Sequence, residues 1–334
     1  MEPTISVIVI TYNQEKTIGR TLDSILMQQC HVPFEIVIGE DCSTDGTLAV
    51  CQQYAKKHPD TIRILANNPN KGIVDNYFDC ILACRGRYIA DCAGDDFWID
   101  PLKLEKEIGV FEQHPDVTLV HTDWQYYNDS TGVVSPSPQK PFTAPVTCGK
   151  DMLEAIVTQT SLPVIHLCTS LYKADVIKNA LAHDETMFRN KEYGCEDLQI
   201  AFAMAQEGNI AFLPDITLNY SHGHESASSS VHSEKLYRNT KRFTELSFQL
   251  AQRYDIHSEK TEAYFSQRVF ALGMHAFRLH EPSLLSETME LEKRWKVQRS
   301  NKTRLLFAVM RHDVLWSCGL RLRQAFVTVK KLFR

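Results

Sequence analysis

Between Ile5 and Ile10 the chain reads Ile-Ser-Val-Ile-Val-Ile, five β-branched apolar residues in six, with no alternation of polar and apolar positions. A strand of this kind has no face to give to water, so it belongs inside a sheet covered on both sides. The following residues keep the same rhythm. Ile18, Leu22, Ile25 and Leu26 recur at helical spacing and predict a helix from about Glu15 to Gln29, and Phe34 to Ile38 (FEIVI) reads as a second strand. Leu48, Cys51 and Ala55 mark a helix that Ser43 or Thr44 is placed to cap. Thr61 to Leu65 is a short strand, Asp75 to Cys84 a helix, and Tyr88 to Asp91 another buried strand. Strand and helix patterns in this order fold as α/β with a mostly parallel sheet, whose ligand crevice lies beyond the carboxyl ends of the strands.

Further on, 125–150 lose periodicity around Ser135-Pro136-Ser137-Pro138, Pro141 and Pro145 and read as an exposed loop. Residues 151–220 return to mixed helix and strand, 222–233 are small, polar and histidine-containing, and the pattern is helical from Glu234. The expected organisation is an α/β domain over 1–230 and a helical C-terminal region over 231–334. At 334 residues and 43% hydrophobic, the chain can bury a sizeable core without disulfide staples. The start, Met-Glu-Pro-Thr, lacks the charged and apolar regions of a secretory leader, and no 18-residue stretch is apolar enough to span a bilayer. The ten cysteines form no Cys-x-x-Cys pair, so they are expected as buried free thiols in a reducing cytoplasm.

Three strand ends carry polar clusters where the crevice should be: Thr11-Tyr12-Asn13, Glu40-Asp41 and Gly94-Asp95-Asp96. Adjacent carboxylates repel unless a cation lies between them, and oxygen-only ligands suit Mg²⁺ or Mn²⁺ held together with substrate phosphates. A solvated turn or helix-capping acids would give Asp95 and Asp96 the same spelling. No Walker loop and no Gly-x-Gly-x-x-Gly follows the first strand, which argues against a P-loop kinase and an NAD dehydrogenase. Asp41 is suited to accept from a base imino N–H or a ribose hydroxyl, or to cap the helix near Thr47. Glu196-Asp197 precedes an apolar helical pattern, as a general base or as a cap and dipole partner. His222 and His224 flank Gly223 and read either as metal or phosphate ligands in a lid or as solvated loop histidines.

The segments ISVIVITYNQEKTIGRTLDSIL, EIVIGEDCSTDGT, GRYIADCAGDDFWIDPLKLEKE and GCEDLQIAFAMAQEG, in this order over about residues 4–230, closely resemble the inverting family 2 glycosyltransferases. The resemblance implies a GT-A fold, a Rossmann-like mixed and mostly parallel sheet flanked by helices, here with a C-terminal helical appendage. It implies a nucleotide-diphospho-sugar donor, most often a UDP-sugar. Thr11, Tyr12, Asn13 and Glu15 would line the nucleoside pocket, Asp41 would read the base, and Asn70 and Lys71 would lie near the ribose or phosphates. Asp95 and Asp96 correspond to the acids that hold the metal, Mn²⁺ or Mg²⁺, and touch the ribose, with His224 as a further candidate ligand. Asp197 matches the base that deprotonates the acceptor hydroxyl, with Glu196 beside it. Three departures from the family pattern stand out: Ala93 stands where the first acid of Asp-x-Asp is usual, Ser221 stands where an arginine follows the tyrosine, and His222 and His224 are each one place off the usual histidine. These departures keep open a degenerate sugar-nucleotide-binding scaffold. A nucleotidyltransferase is the other alternative, although those usually open with a Gly-rich loop after the first strand.

The formal charge of −5 hides an asymmetry, because residues 293–334 hold twelve Lys or Arg and one acid, Asp313. Leu322, Phe326, Val329 and Phe333 fall on one helical face, flanked by Arg321, Arg323, Lys330, Lys331 and Arg334. A basic amphipathic helix reads as an anchor to an anionic membrane surface, with docking on the acidic body as the alternative. Trp295, Phe307 and Trp316 are placed to deepen either contact. No nucleic-acid motif accompanies the basic residues. The expectation is a cytoplasmic protein, peripheral on the inner face of the cell membrane, acting on a glycan or lipid-linked saccharide.

Overall fold

The computed structural model describes residues 2–137, 145–160, 164–222 and 233–332, with 324–332 as backbone only. The chain divides into two compact units, Met1–His224 and Glu225–Arg334.

The first unit begins β1 (Ile5–Thr11), α1 (Ile18–Leu26), β2 (Phe34–Glu40), α2 (Thr47–Lys57), β3 (Ile62–Ala66), α3 (Ile73–Ala83) and β4 (Tyr88–Asp91). It continues with β5 (Phe97–Trp98), α4 (Lys103–Gln113), β6 (Val117–Asn128), β7 (Val134–Pro136), β8 (Val146–Thr147), α5 (Gly149–Val157), β9 (Ser170–Lys173), α6 (Ala174–His183), α7 (Glu185–Phe188), α8 (Asp197–Glu207) and β10 (Asn209–His222). One mixed sheet runs β3-β2-β1-β4-β9-β6-β10-β5, with β7 on β6 and β8 on β10. β1 is parallel to β2 and to β4, as its uninterrupted apolar run requires, and every residue from Ile5 to Val9 is buried. Ile18, Leu22 and Ile25 of α1 pack into the same core as Val7, Val9, Ile36 and Ile38.

The register brings the strand ends level. Thr11 lies opposite Glu40, the Asp41 amide donates to the Thr11 carbonyl (3.1 Å), and the Gly94 amide donates to the Ile10 carbonyl (3.1 Å). The residues that follow, Tyr12, Asp41 and Asp95, therefore leave the sheet along one edge.

Three local expectations are corrected. α1 starts at Ile18 rather than near Glu15, because residues 13–15 are held instead by the loop before α2. That helix is not capped by Ser43 or Thr44; the Thr47 amide donates to Asp45 Oδ1 at 3.0 Å. The stretch 125–150 is not all loop: β6 runs on to Asn128 and β7 returns along it, with Pro136 at the end of a strand that has no second partner among the described residues.

Against the Trp98 ring lies a charge pair with no exposed surface. Lys103 Nζ is 2.7 Å from Glu107 Oε2, one turn along α4, and 4.5 Å from the centre of the Trp98 ring. Burial pushes the Glu107 carboxyl up to about 7 despite the lysine.

The second unit is helical: α9 (Ser233–Arg253), α10 (Glu259–Leu279), α11 (Pro282–Arg294), α12 (Asn301–Met310) and α13 (Asp313–Leu332). Trp295, Phe307 and Trp316, expected at a surface contact, are 3%, 1% and 2% exposed and form this unit's core. The Trp295 indole donates to Glu245 and the Trp316 indole to the Phe277 carbonyl, both at 2.9 Å. At Gly273 any Cβ would stand 2.8 Å from the Phe307 ring, so the close crossing of α10 and α12 needs glycine there. Of the ten free cysteines six are buried, but Cys148 and Cys318 are exposed, against expectation. Among the described residues no helix is long and apolar enough to cross a membrane.

Replacing Lys103 by Met leaves Glu107 buried without its cation and is expected to cost about 3–5 kcal/mol of stability. Replacing both, Lys103→Met with Glu107→Leu, should recover most of that loss in urea unfolding.

Candidate active site

The loop after β1 is tied to the loop after β2. Asn13, at φ 53°, takes the Thr44 amide on its side-chain oxygen (2.8 Å) and gives its own amide to Ser43 Oγ (3.0 Å). The Gln14 amide donates to Thr47 Oγ1, and Glu15 Oε2 accepts from the Gly46 amide. A Cβ at Gly46 would sit 2.5 Å from the Glu15 carboxylate, so a larger residue there would push that carboxylate aside. Thr11 is buried and donates to Gln14 Oε1. Of the four residues expected in the nucleoside pocket, Thr11, Asn13 and Glu15 thus hold the loop in shape. Tyr12, 48% exposed, presents its ring to solvent.

Asp41 is buried, and its carboxylate anchors the loop before α3. Oδ1 accepts from the Asn67 amide group (2.9 Å) and the Lys71 N–H (2.8 Å), and Oδ2 accepts from the Gly72 N–H (2.8 Å). Asn70 adds a bond from Nδ2 to the Asp41 carbonyl. Asp41 therefore serves the start of α3, not the cap near Thr47 that its sequence position also allowed. Lys71 is drawn along α3, its ammonium 2.7 Å from Asp79. Two further cations close this corner: Arg189 on Asp79 and Asp75, and Lys191 on Asp75 at 2.7 Å.

Asp95 and Asp96 part company. Asp96 is 1% exposed, accepts the Ser221 N–H at 2.8 Å and lies beside the Cys168 thiol. Burial, then the neighbouring Asp95, pushes its carboxyl well above the usual range. Asp96 is thus turned into the fold, and Asp95 is the half-exposed member of the pair. A single accessible carboxylate fits a Mg²⁺ or Mn²⁺ that takes its other oxygens from a bound diphosphate. The turn is held by Arg20, a residue that sequence reasoning missed. Its guanidinium donates to the Asp95 carbonyl (2.9 Å), Ser221 Oγ (3.1 Å) and Asp129 (2.9 Å), over the Phe97 ring at 4.1 Å. It lies on the face of α1 opposite Ile18 and Leu22, and a polar residue there gives no local sign of its partners. His222 is half-buried against Tyr126, and His224 lies outside the described residues. Among the described residues, the group of three potential metal ligands is Cys30, His31 and Glu105, at the opposite end of the strands.

Glu196 and Asp197 open α8, and Glu196 makes no side-chain cap bond. Asp197 is solvent-accessible, and loss of hydration at the start of α8 pushes its carboxyl up to about 6. Glu196 is pushed well up by burial, then by the charges of Asp197 and Asp91, and its buried Oε2 has no hydrogen-bond partner among the described residues. Asp91, which was read only as the end of a strand, joins this group. It takes the Tyr77 hydroxyl on Oδ1 at 2.7 Å, and Tyr77 in turn meets the Tyr172 hydroxyl at 2.8 Å.

Known proteins were then compared with this arrangement. The family model described as "Glycosyl transferase family 2" matches residues 6–180. The chain belongs to that family. An uncharacterized glycosyltransferase of Nostoc sp. is 30% identical over 240 residues, covering 69% of this chain and 70% of its own length. The putative glycosyltransferase EpsE of Bacillus subtilis is 35% identical over 127 residues, 38% of this chain and 45% of its own. Mycobacterial relatives described only as uncharacterized proteins are 40% identical, but the match spans about a third of their length. Among solved structures, S. aureus TarS 1-349 in complex with UDP-GlcNAc superposes with a TM-score of 0.57 at 18% identity, covering 92% of this chain and 91% of that one. The mannosyltransferase PcManGT of Pyrobaculum calidifontis, in complex with GDP-Man and Mn²⁺, gives 0.55 at 16% identity, covering 96% and 87%. These likenesses show the GT-A fold, as the family 2 motifs led one to expect.

In this family 2 member, Asp41→Asn would set an amide N–H₂ against backbone donors and is expected to cost about 1–3 kcal/mol. Hydrogen exchange at the Lys71 and Gly72 amides should accelerate about tenfold or more, with the β1 amides changed only by the global loss of stability.

Proposed function

We propose that the protein is an inverting glycosyltransferase, moving a sugar from a nucleotide-diphospho-sugar to a hydroxyl of a glycan or lipid-linked saccharide in cell-surface polysaccharide synthesis. A UDP-sugar is the first donor to try and a GDP-sugar the second, following the ligands of TarS and PcManGT. The observation that carries the reading is Asp197, an accessible carboxyl at the first residue of α8 beside Glu196, with loss of hydration pushing it up to about 6. That value is low enough for Asp197 to be ionised near neutrality and high enough for it to accept a proton from an alcohol being activated. Support for the setting comes from a Bacillus subtilis relative, 36% identical over 107 residues, named a putative teichuronic acid biosynthesis glycosyltransferase.

In this reading the catalytic domain spans 1–230, and 231–334 is its helical extension. Tyr12 gives a ring face to the base, and Asp41 offers the base imino N–H a remaining lone pair. Thr11, Asn13 and Glu15 keep that pocket's walls fixed, and the Asn70–Lys71 loop closes it. Asp95 would hold Mn²⁺ or Mg²⁺, which supplies neutralising charge for the leaving diphosphate. Asp197 takes the acceptor's hydroxyl proton while that oxygen bonds to the anomeric carbon. The bond to the diphosphate oxygen breaks on the opposite side, and the configuration inverts.

The C-terminal helices supply a reason for a lipid-borne acceptor. Leu305, Val314, Leu315 and Leu322 are 51–74% exposed and interspersed with Arg304, Arg311, Arg321 and Arg323. Exposed aliphatic residues among arginines suit an anionic membrane surface. Co-sedimentation with phosphatidylglycerol vesicles is expected, and it should weaken in high salt and in Leu322→Glu.

The deciding experiment is nucleotide release from a panel of UDP- and GDP-sugars, with and without Mn²⁺ and a lipid extract. One donor should turn over, and Asp197→Asn should lose about 10²-fold or more in kcat. Because the base must be ionised, kcat/KM should fall as pH drops through about 6. Donor binding with no turnover on any acceptor would replace this reading by a sugar-nucleotide-binding scaffold.

A further inference from the structure

We propose that Cys30, His31 and Glu105 form a Zn²⁺ site, a metal clasp between the loop after α1 and the first turn of α4. It is separate from the cation that Asp95 would hold.

The three donors come from two places in the sequence. Cys30 and His31 lie between α1 and β2, and Glu105 stands in the first turn of α4. The Cys30 thiol, a ring nitrogen of His31 and a carboxylate oxygen of Glu105 all lie within 4.8 Å of one another. With Zn–S of about 2.3 Å and Zn–N or Zn–O of about 2.0–2.1 Å, tetrahedral ligands stand about 3.3–3.6 Å apart, so small side-chain adjustments close the set on one ion. The carboxylate is already held in place. The His31 amide donates to Glu105 Oε2 at 2.9 Å, and His31 Nδ1 lies 2.8 Å from the same oxygen. The other ring nitrogen, Nε2, faces Glu112 Oε1 at 3.2 Å. A carboxylate on the far nitrogen of a ligating histidine fixes its ring and tautomer and raises its basicity. One thiolate, one imidazole and one carboxylate, with water as the fourth ligand, suit Zn²⁺ rather than Mg²⁺. Binding releases the thiol proton to solvent.

An ion pair alone accounts for less of this arrangement. A protonated His31 between two glutamates at the surface gains little in water. It also leaves the thiol unexplained, and that thiol is turned onto the same Glu105 carboxylate. Lys106, next to Glu105 in α4, is committed to Asp100 and Asp215 instead.

The clasp closes a longer seam. Residues 94–101 run alongside α1, with one bond for each helical turn. Thr17 Oγ1 donates to the Gly94 carbonyl (2.9 Å) and Thr21 Oγ1 to the Asp96 carbonyl (2.6 Å). The Trp98 amide donates to Ser24 Oγ (3.0 Å), and Gln28 Nε2 to the Asp100 carbonyl (2.8 Å). The Gln29 amide then reaches the Pro101 carbonyl (2.8 Å), and the next residues are Cys30 and His31. One end of the seam carries the Asp95 turn, and the other is the cluster. A cation bound there ties both sides of the seam together at the end away from the crevice.

The test uses the full chain, stripped with a chelator, with Cys148→Ser and Cys318→Ser removing the two exposed thiols. Co²⁺ is the probe. It should bind stoichiometrically, with intense visible ligand-field bands and a thiolate-to-cobalt charge-transfer band in the near ultraviolet, and Zn²⁺ should bleach both. Cys30→Ser should abolish the charge-transfer band. His31→Ala and Glu105→Gln should weaken Zn²⁺ binding measured by competition, and Glu112→Gln should weaken it about tenfold. Asp95→Asn should leave the band intact, because a site with oxygen ligands alone gives no thiolate transition. Zn²⁺ should raise the melting temperature of the parent and not that of Cys30→Ser. No charge-transfer band in the parent, or one that survives Cys30→Ser, overturns the proposal. So does an ion-pair outcome, in which Zn²⁺ leaves the melting temperature unmoved and Glu105→Gln lowers it equally with and without the metal. If Cys30→Ser does not fold, an unchanged Zn²⁺ affinity in His31→Ala decides against the site.

Discussion

β1 has a parallel neighbour on each side, and the register of those two pairings decides where the polar groups of the crevice come to lie. With Thr11 opposite Glu40 and Ile8 opposite Asp91, the chain leaves β1 and β2 at one level. β4 stops three positions short, so its continuation climbs past Cys92 and Gly94 before turning at Asp95. A slip of one residue in either pairing would turn every side chain of the strand to the opposite covered face and misfit the packing there. The placement of Tyr12, Asp41 and Asp95 therefore follows from the packing of the core.

The same edge collects carboxyls that the protein must keep from repelling one another, and it does so by giving each a different environment. Asp41 is saturated with amide donors. Asp96 is buried on the Ser221 amide. Asp91 leans on two tyrosines, Asp95 is half-exposed, and Asp197 is exposed. One residue type thus meets several environments within a short stretch of sheet edge, the distinction lying in what each carboxylate oxygen faces. Arg20 joins the parts, holding the Asp95 turn with the same guanidinium that reaches Ser221 in β10, 201 positions further along the chain than the arginine.

What could be read in the sequence was what local patterns encode. The β-branched runs gave β1, β2 and β4 almost to the residue, and the order of polar clusters gave the edge of the crevice. What could not be read depends on contacts distant in sequence. The delayed start of α1 reflects Asn13 and Glu15 reaching the loop before α2, thirty-one positions away. The β6–β7 pairing hid behind a Ser-Pro repeat, because an edge strand tolerates proline that a central one does not. Trp295, Phe307 and Trp316 looked like contact residues because helical periodicity reveals an apolar face without revealing what covers it. Asp91 passed as the end of a strand, since a carboxyl's neighbours are invisible from its own segment.

The distribution of thiols has a practical consequence for studying the two units. Cys148 in the first and Cys318 in the second are exposed, while the other eight cysteines are partly or wholly buried. Buried thiols whose deprotonation is suppressed react slowly with maleimides. The unaltered chain therefore carries one fast-reacting attachment point on each unit. A donor and an acceptor fluorophore introduced there would report the separation of the two units in solution, with and without a nucleotide-sugar, without any engineered cysteine.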